Sequence, residues 1–111
     1  MRHRHSGRKF GMDPTARKAM LRNMVTSLMI HGQIRTTQAR AKELRGYAEK
    51  VVSLAKRAPS TEAIASMKGK TEKEAASAAR VHAIRRVRRW VNNDGAIEKL
   101  FGEYAERFAN R

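Results

Sequence analysis

Cysteine is absent from the 111 residues, which removes disulfides, thiolate zinc sites and cysteine nucleophiles and suits a reducing compartment. Long apolar runs are missing too. The most apolar stretch, MVTSLMI at 24–30, falls well short of the roughly 20 residues that span a bilayer. No apolar segment follows the basic N-terminus directly, as a secretory signal would require. Aromatic residues make up 5% of the chain, too few for the apolar face of a membrane-surface helix. Acid is scarce beside base: 10 Asp+Glu stand against 25 Lys+Arg, a formal net charge of +15. Such a surplus repels itself and attracts polyanions. Arginine outnumbers lysine, and its planar fork matches phosphate geometry, so nucleic acid fits better than a membrane. The length allows one domain and a tail, in a protein expected in the cytoplasm.

The chain opens MRHRHSGRKFG, eleven residues without an acid. Such a tail cannot collapse onto itself, and it is expected to order only within a phosphate-lined crevice. Arg2 and Arg4, extended, would lie on one side about 6.6 Å apart, within reach of neighbouring phosphates. His3, His5, Arg8 and Lys9 extend the basic character, and Gly7 and Gly11 let the backbone bend close to a nucleic-acid surface. Residues 1–12 are accordingly read as a basic RNA-binding tail. Residues 13–111 are read as a single helical domain.

Asp13, Pro14 and Gly32 mark the first helix as cap, first residue and left-handed stop. Met20, Leu21, Met24, Val25, Leu28 and Met29 fill one half of its surface, and Arg22, Asn23 and Thr26 take the other. Arg17 points into the apolar sector from the first turn, where its guanidinium can reach past the core; Lys18 adds a base beside it. QIRTT at 33–37 alternates in a β-leaning way and predicts a short strand with Arg35 on one side. A strand needs a partner for its backbone groups, and no other segment reads as one. From Thr37 a second helix runs to Pro59 with Ala41, Leu44, Ala48, Val51 and Ala55 on its apolar face and Arg40 and Arg45 among its bases. Residues 58–70 read as a weak helix or loop. Thr71 and Glu74 are expected to form a capping box for the next helix.

That helix, predicted through 72–93, puts Ala76, Ala79, Ala83, Ile84, Val87, Trp90 and Val91 on one side. His82, Arg85, Arg86, Arg88 and Arg89 take the opposite arc, which contains no acid; Arg80 and Val81 break the pattern. Solvated faces normally mix signs, so the arc is read as facing RNA or DNA. Asp94 is expected to cap a last helix whose Ile97, Leu100, Phe101, Tyr104 and Phe108 supply core rather than a base-stacking platform.

No convergent set of acids, bases or nucleophiles can be assembled, so catalysis is not indicated. GKT at 69–71 fails as a phosphate-binding loop because Ile64 stands where a glycine is needed. His3 and His5 lack the cysteine or carboxylate neighbours of a metal site. No cofactor and no small-molecule substrate is expected.

The opening MRHRHSGRK, RKAMLRNMVTSL, IRTTQARAKELR and the late KLFGEYAERFANR together resemble the bacterial large-subunit ribosomal protein L-seventeen family; residues 58–75 depart from it like an insertion. The resemblance implies a structural constituent of the large subunit that binds large-subunit ribosomal RNA near the outer rim of the peptide exit tunnel. It also implies the twenty-second and thirty-second large-subunit proteins as neighbours. In that family the chain continues beyond the position of Arg111 into a GGYTR-like stretch and further strands. The expected fold class is therefore α+β: three to five helices, with the 33–37 strand paired to a segment not in this sequence. The alternatives are a DNA-binding nucleoid or regulatory protein using the 82–89 helix in a major groove, and an RNA-modifying enzyme, against which the missing catalytic set argues.

Overall fold

Asp13 opens the first helix as its spelling predicts: its carboxylate accepts from the Ala16 N–H at 2.7 Å, with Pro14 in the first turn. The helix, α1 (Pro14–His31), closes on Gly32 at φ 76°, whose N–H donates to the Leu28 carbonyl at 2.8 Å. The computed structural model describes residue 3 and residues 7–111. After α1 come α2 (Gln38–Arg57), α3 (Thr61–Ser66), α4 (Lys70–Val87) and α5 (Asp94–Lys99), the last continuing through a π-helical turn (Leu100–Tyr104) into α6 (Ala105–Arg107).

No strand occurs among the described residues, so the expected α+β class is corrected to all-helical. The alternation at 33–37 is nonetheless real: Ile34 and Thr36 are half-buried while Gln33, Arg35 and Thr37 are exposed. Arg17, early in α1, bonds to Glu43 and Tyr47 of α2, and Leu28 and Met29, late in α1, line one cleft with Ala48 and Val52. The two helices therefore run in the same sense, and the link between them has to run back along α1. Residues 33–37, extended, cover about 16 Å and lay Ile34 against the helical core. The period of two records one face on helices and one in water. It does not need a sheet.

Two helix boundaries also differ from expectation. α4 starts at Lys70 behind Gly69, with no side-chain cap, so Thr71 lies inside the first turn and the expected capping box does not open the helix. It ends at Val87 and not near Asn93. There the Trp90 N–H turns back to the Val87 carbonyl at 2.9 Å, which lets Val87 and Val91 both reach the core at zero exposure. The cap of α5 is Asn93, accepting from the Ala96 N–H at 3.0 Å; Asp94 is the helix's first residue.

The core is one cluster. Leu21, Val25 and Met29 of α1 meet Leu44, Val51 and Ala55 of α2, Val87 and Val91, and Ile97, Leu100, Phe101 and Tyr104 of the last helix. The Met20, Met24 and Leu28 side chains pack around it half-buried, the two methionines as gap-filling thioethers. α4 runs opposite to α2, since Arg80 bonds to the Pro59 carbonyl while Trp90 stacks on Tyr47. α3 buries nothing fully, and α4 buries only Val87. That projecting pair accounts for a radius of gyration of 16.2 Å and extents of 53 × 33 × 26 Å, against about 13 Å for a compact chain of this length.

Candidate nucleic-acid interface

The tail meets the body at Arg17. Its Nη2 lies 2.6 Å from Glu43 Oε1 and its Nη1 3.4 Å from the Tyr47 hydroxyl, while its Nε donates to the Arg8 carbonyl. Arg8 itself approaches the other oxygen of Glu43 at 3.8 Å. Lys9 to Met12 then form a tight turn, the Met12 N–H donating to the Lys9 carbonyl at 3.1 Å, with positive φ at both Phe10 (56°) and Gly11 (66°). Two positive φ values in the centre of a turn describe the type I′ form, which glycine takes freely and phenylalanine does not. Residues 7–12 are therefore held on the helices, where a free tail was expected. Of the other tail bases, His3 is exposed, and Arg2, Arg4 and His5 lie outside the described residues.

The arginine turn is built from the same end. Tyr47, which Arg17 touches, packs its ring 4.6 Å from that of Trp90 at 43°. Arg22 Nη2 donates to the Arg88 carbonyl at 3.0 Å, and Arg88 pairs with Asp94 at 2.8 Å. Thr26 is the buried polar residue beneath: its hydroxyl lies 3.1 Å from Asn92 Oδ1 and accepts the Asn92 N–H at 3.3 Å. On this base His82, Arg85 and Arg86 project from the last turns of α4 and Arg88 and Arg89 from the turn beyond, all five exposed. Among the described residues, no carboxylate pairs with Arg85, Arg86 or Arg89.

The predicted basic residues thus fall into two groups. Lys9, Lys18, Arg35, Arg45, His82, Arg85, Arg86 and Arg89 are exposed, and Arg40 is half-buried. Arg17 and Arg22 are struts whose guanidinium groups face protein oxygen, and Arg8 and Arg88 are exposed but paired. Arg80, the pattern-breaker on α4, is a strut too: it sits 5.3 Å over the Phe101 ring and donates to the Pro59 carbonyl at 3.0 Å. Sequence reasoning missed Glu43, Tyr47, Thr26 and Asn92 as the supports of this end. The one available signal was Glu43 itself, an acid set among arginines.

The projecting end has a different character. From Thr61 to Ala79 the charges are Glu62, Glu72 and Glu74 against Lys68, Lys70 and Lys73, so the whole surplus of +15 lies elsewhere. Between α1, α2 and the last helix a cleft of about 530 Å³ has Leu28, Met29, Val52, Tyr104 and Phe108 in its walls. Among the described residues no helix is long and apolar enough to cross a membrane, and no three His, Asp or Glu side chains gather as metal ligands.

The family model described as Ribosomal protein L17 matches residues 20–111. Among curated proteins, this chain is 44% identical over its whole length to the large ribosomal subunit protein bL17 of Desulfotalea psychrophila, spanning 70% of that relative. It is 43% identical over its whole length to the protein of that name from Desulfosudis oleivorans, spanning 43% of it. To the counterpart in Desulfovibrio desulfuricans it is 39% identical over 98% of this chain and 52% of the relative.

Proposed function

This chain belongs to the ribosomal protein L17 family, a structural, non-enzymatic component of the large subunit of the cytoplasmic ribosome, and we propose from that premise that it binds large-subunit ribosomal RNA through phosphates and shape. The observation that carries this is the exposed group of Arg85, Arg86 and Arg89, with no carboxylate paired to any of them among the described residues. Like charges gathered at the end of α4 and on the turn beyond it repel each other, and a polyanion removes that cost. The tail supplies a second set of bases, launched from the same end of the molecule as the arginine turn.

The shape of the arginine turn favours RNA backbone over a DNA major groove. A recognition helix presents its readers along one continuous helical face, whereas α4 stops at Val87 and puts Arg88 and Arg89 on a turn. On family resemblance, the contact belongs near the outer rim of the exit tunnel with the twenty-second and thirty-second large-subunit proteins as neighbours; cross-linking in intact subunits tests that location.

Titrating deproteinised large-subunit ribosomal RNA with the wild-type protein and with an Arg85→Gln/Arg86→Gln/Arg89→Gln variant tests the mode of binding. Wild-type affinity should fall by roughly 10³–10⁵ between 50 and 200 mM salt if six to ten phosphates are engaged. The triple variant should lower the magnitude of the log–log salt slope by about 2–3, since each phosphate contact contributes roughly 0.7–0.9. Its thermal unfolding should match wild type, because the three side chains are exposed and make no ion pair. A flat wild-type salt titration would refute the phosphate mechanism.

A further inference from the structure

Resting on the RNA-binding function proposed above, we propose that Glu43 is a positioning residue for RNA binding: an acid that strengthens the hold on a polyanion by fixing where the basic tail leaves the body. Nine of the ten acidic residues are exposed, and Glu43 is the exception. Its side chain is 13% exposed and lies between two guanidinium groups, Arg17 at 2.6 Å and Arg8 at 3.8 Å. Those two belong to different segments, the start of α1 and the tail, while Glu43 belongs to α2. One carboxylate therefore joins three pieces of chain.

The tail backbone runs directly over this ion pair. Gly7 has φ 90°, and a Cβ built on it would lie 3.3 Å from Glu43 Oε1 and 3.6 Å from Arg17 Nη2. Arg17 then takes the Arg8 carbonyl through Nε, so both the side chain and the backbone of residue 8 are fastened. Through Tyr47 the same arginine touches the ring that stacks on Trp90, one residue beyond Arg89. The launching point of the tail and the arginine turn share one support. An RNA that engages the turn meets the tail already aimed, and less conformational freedom is lost on binding.

This sets position against charge, and the two predict opposite signs. By charge alone, neutralising any acid on a protein of net charge +15 should tighten RNA binding. By position, Glu43→Gln should weaken it. On deproteinised large-subunit ribosomal RNA, Glu43→Gln is expected to lose roughly three- to tenfold in affinity and to lower the magnitude of the salt slope by about 1–2. Glu49→Gln, on the same helix but exposed, should bind as wild type or more tightly. In a full-length chain carrying Arg2→Gln and Arg4→Gln, the loss from Glu43→Gln should shrink below about twofold, because the tail then has less to deliver. Gly7→Ala gives an independent view from the tail side, since it crowds the clasp without touching the core. It should reproduce the loss in affinity and slope with the melting temperature of the body unchanged. Tighter binding by Glu43→Gln, an equal loss in the Arg2/Arg4 background, or wild-type affinity and slope for Gly7→Ala would each overturn the proposal. Failure of the underlying function looks different, as a wild-type protein whose RNA binding ignores salt, and that result removes both.

Discussion

Thr26→Val tests whether the arginine turn is held by one buried hydroxyl. Thr26, 7% exposed, is the one buried polar or charged residue among the described residues. Its Oγ1 lies 2.9 Å from the Arg22 carbonyl, 3.1 Å from Asn92 Oδ1 and 3.4 Å from the Trp90 carbonyl. A hydroxyl has one proton to give, so it donates to one of these at a time, and it accepts from the Asn92 N–H at 3.3 Å. Valine keeps the shape and removes both roles. One donated bond contributes about 1 kcal/mol, and leaving the Asn92 N–H without a partner costs about 1–3 kcal/mol. The extra methyl returns about 0.8 kcal/mol of apolar burial. The net expectation is a loss of about 1–3 kcal/mol, a fall in melting temperature of roughly 5–14 °C for a domain of this size. Thermal unfolding followed by helical circular dichroism measures it, with Thr26→Ser as the control that keeps the hydroxyl and gives up only a methyl. Amide exchange adds a local readout: protection should drop at Asn92 and its neighbours before it drops in α1. A Thr26→Val protein as stable as wild type, or less affected than Thr26→Ser, would refute the reasoning.

Leu100→Ala should cost about 2–5 kcal/mol, since Leu100 has zero exposure at the centre of the core; urea unfolding gives the value, and an unchanged midpoint would show that the last helix packs elsewhere. Arg80→Met keeps an apolar stem over Phe101 but loses the cation and the bond to the Pro59 carbonyl. It should destabilise by about 1 kcal/mol while leaving the RNA salt slope unchanged, the reverse of the triple arginine variant.

The ends of α1 were legible because local chemistry decides them. Asp13, Pro14 and Gly32 each act within a few residues, and nothing distant competes. The apolar stripes of α1 and α2 were legible in large part, although Ala41, assigned to the apolar face, is exposed and Thr26, assigned to the outer half of α1, is buried. The link at 33–37 was misread because alternation reports only that one side of an extended chain is covered, and a helix surface covers it as well as a sheet neighbour does. The end of α4 was misread because Val87 and Val91 fit a continuing helix by spacing; a turn buries both and frees Asn93 to cap α5. Both errors came from distant packing partners that choose between two locally acceptable conformations.

For the interface, composition made the partner's charge legible but left the arginines undivided, because their carboxylate and carbonyl partners lie far off in sequence, at residue 43 for Arg17 and residue 59 for Arg80. The helical wheel held part of the answer. Arg17 and Arg80 both stand in the apolar sector of their helices, and both turned out to brace the protein. On the all-basic arc, Arg85, Arg86 and Arg89 turned out exposed with no carboxylate partner among the described residues, while Arg88 of the same arc pairs with Asp94 across the turn. A guanidinium placed among apolar neighbours has to satisfy its donors on protein oxygen, whereas one among like charges is kept apart from protein and open to an outside anion. Arg22 marks where the rule stops. It lies on the outer half of α1, yet it bonds to the Arg88 carbonyl, an acceptor freed only because α4 ends early, so its role became visible only after the turn it holds.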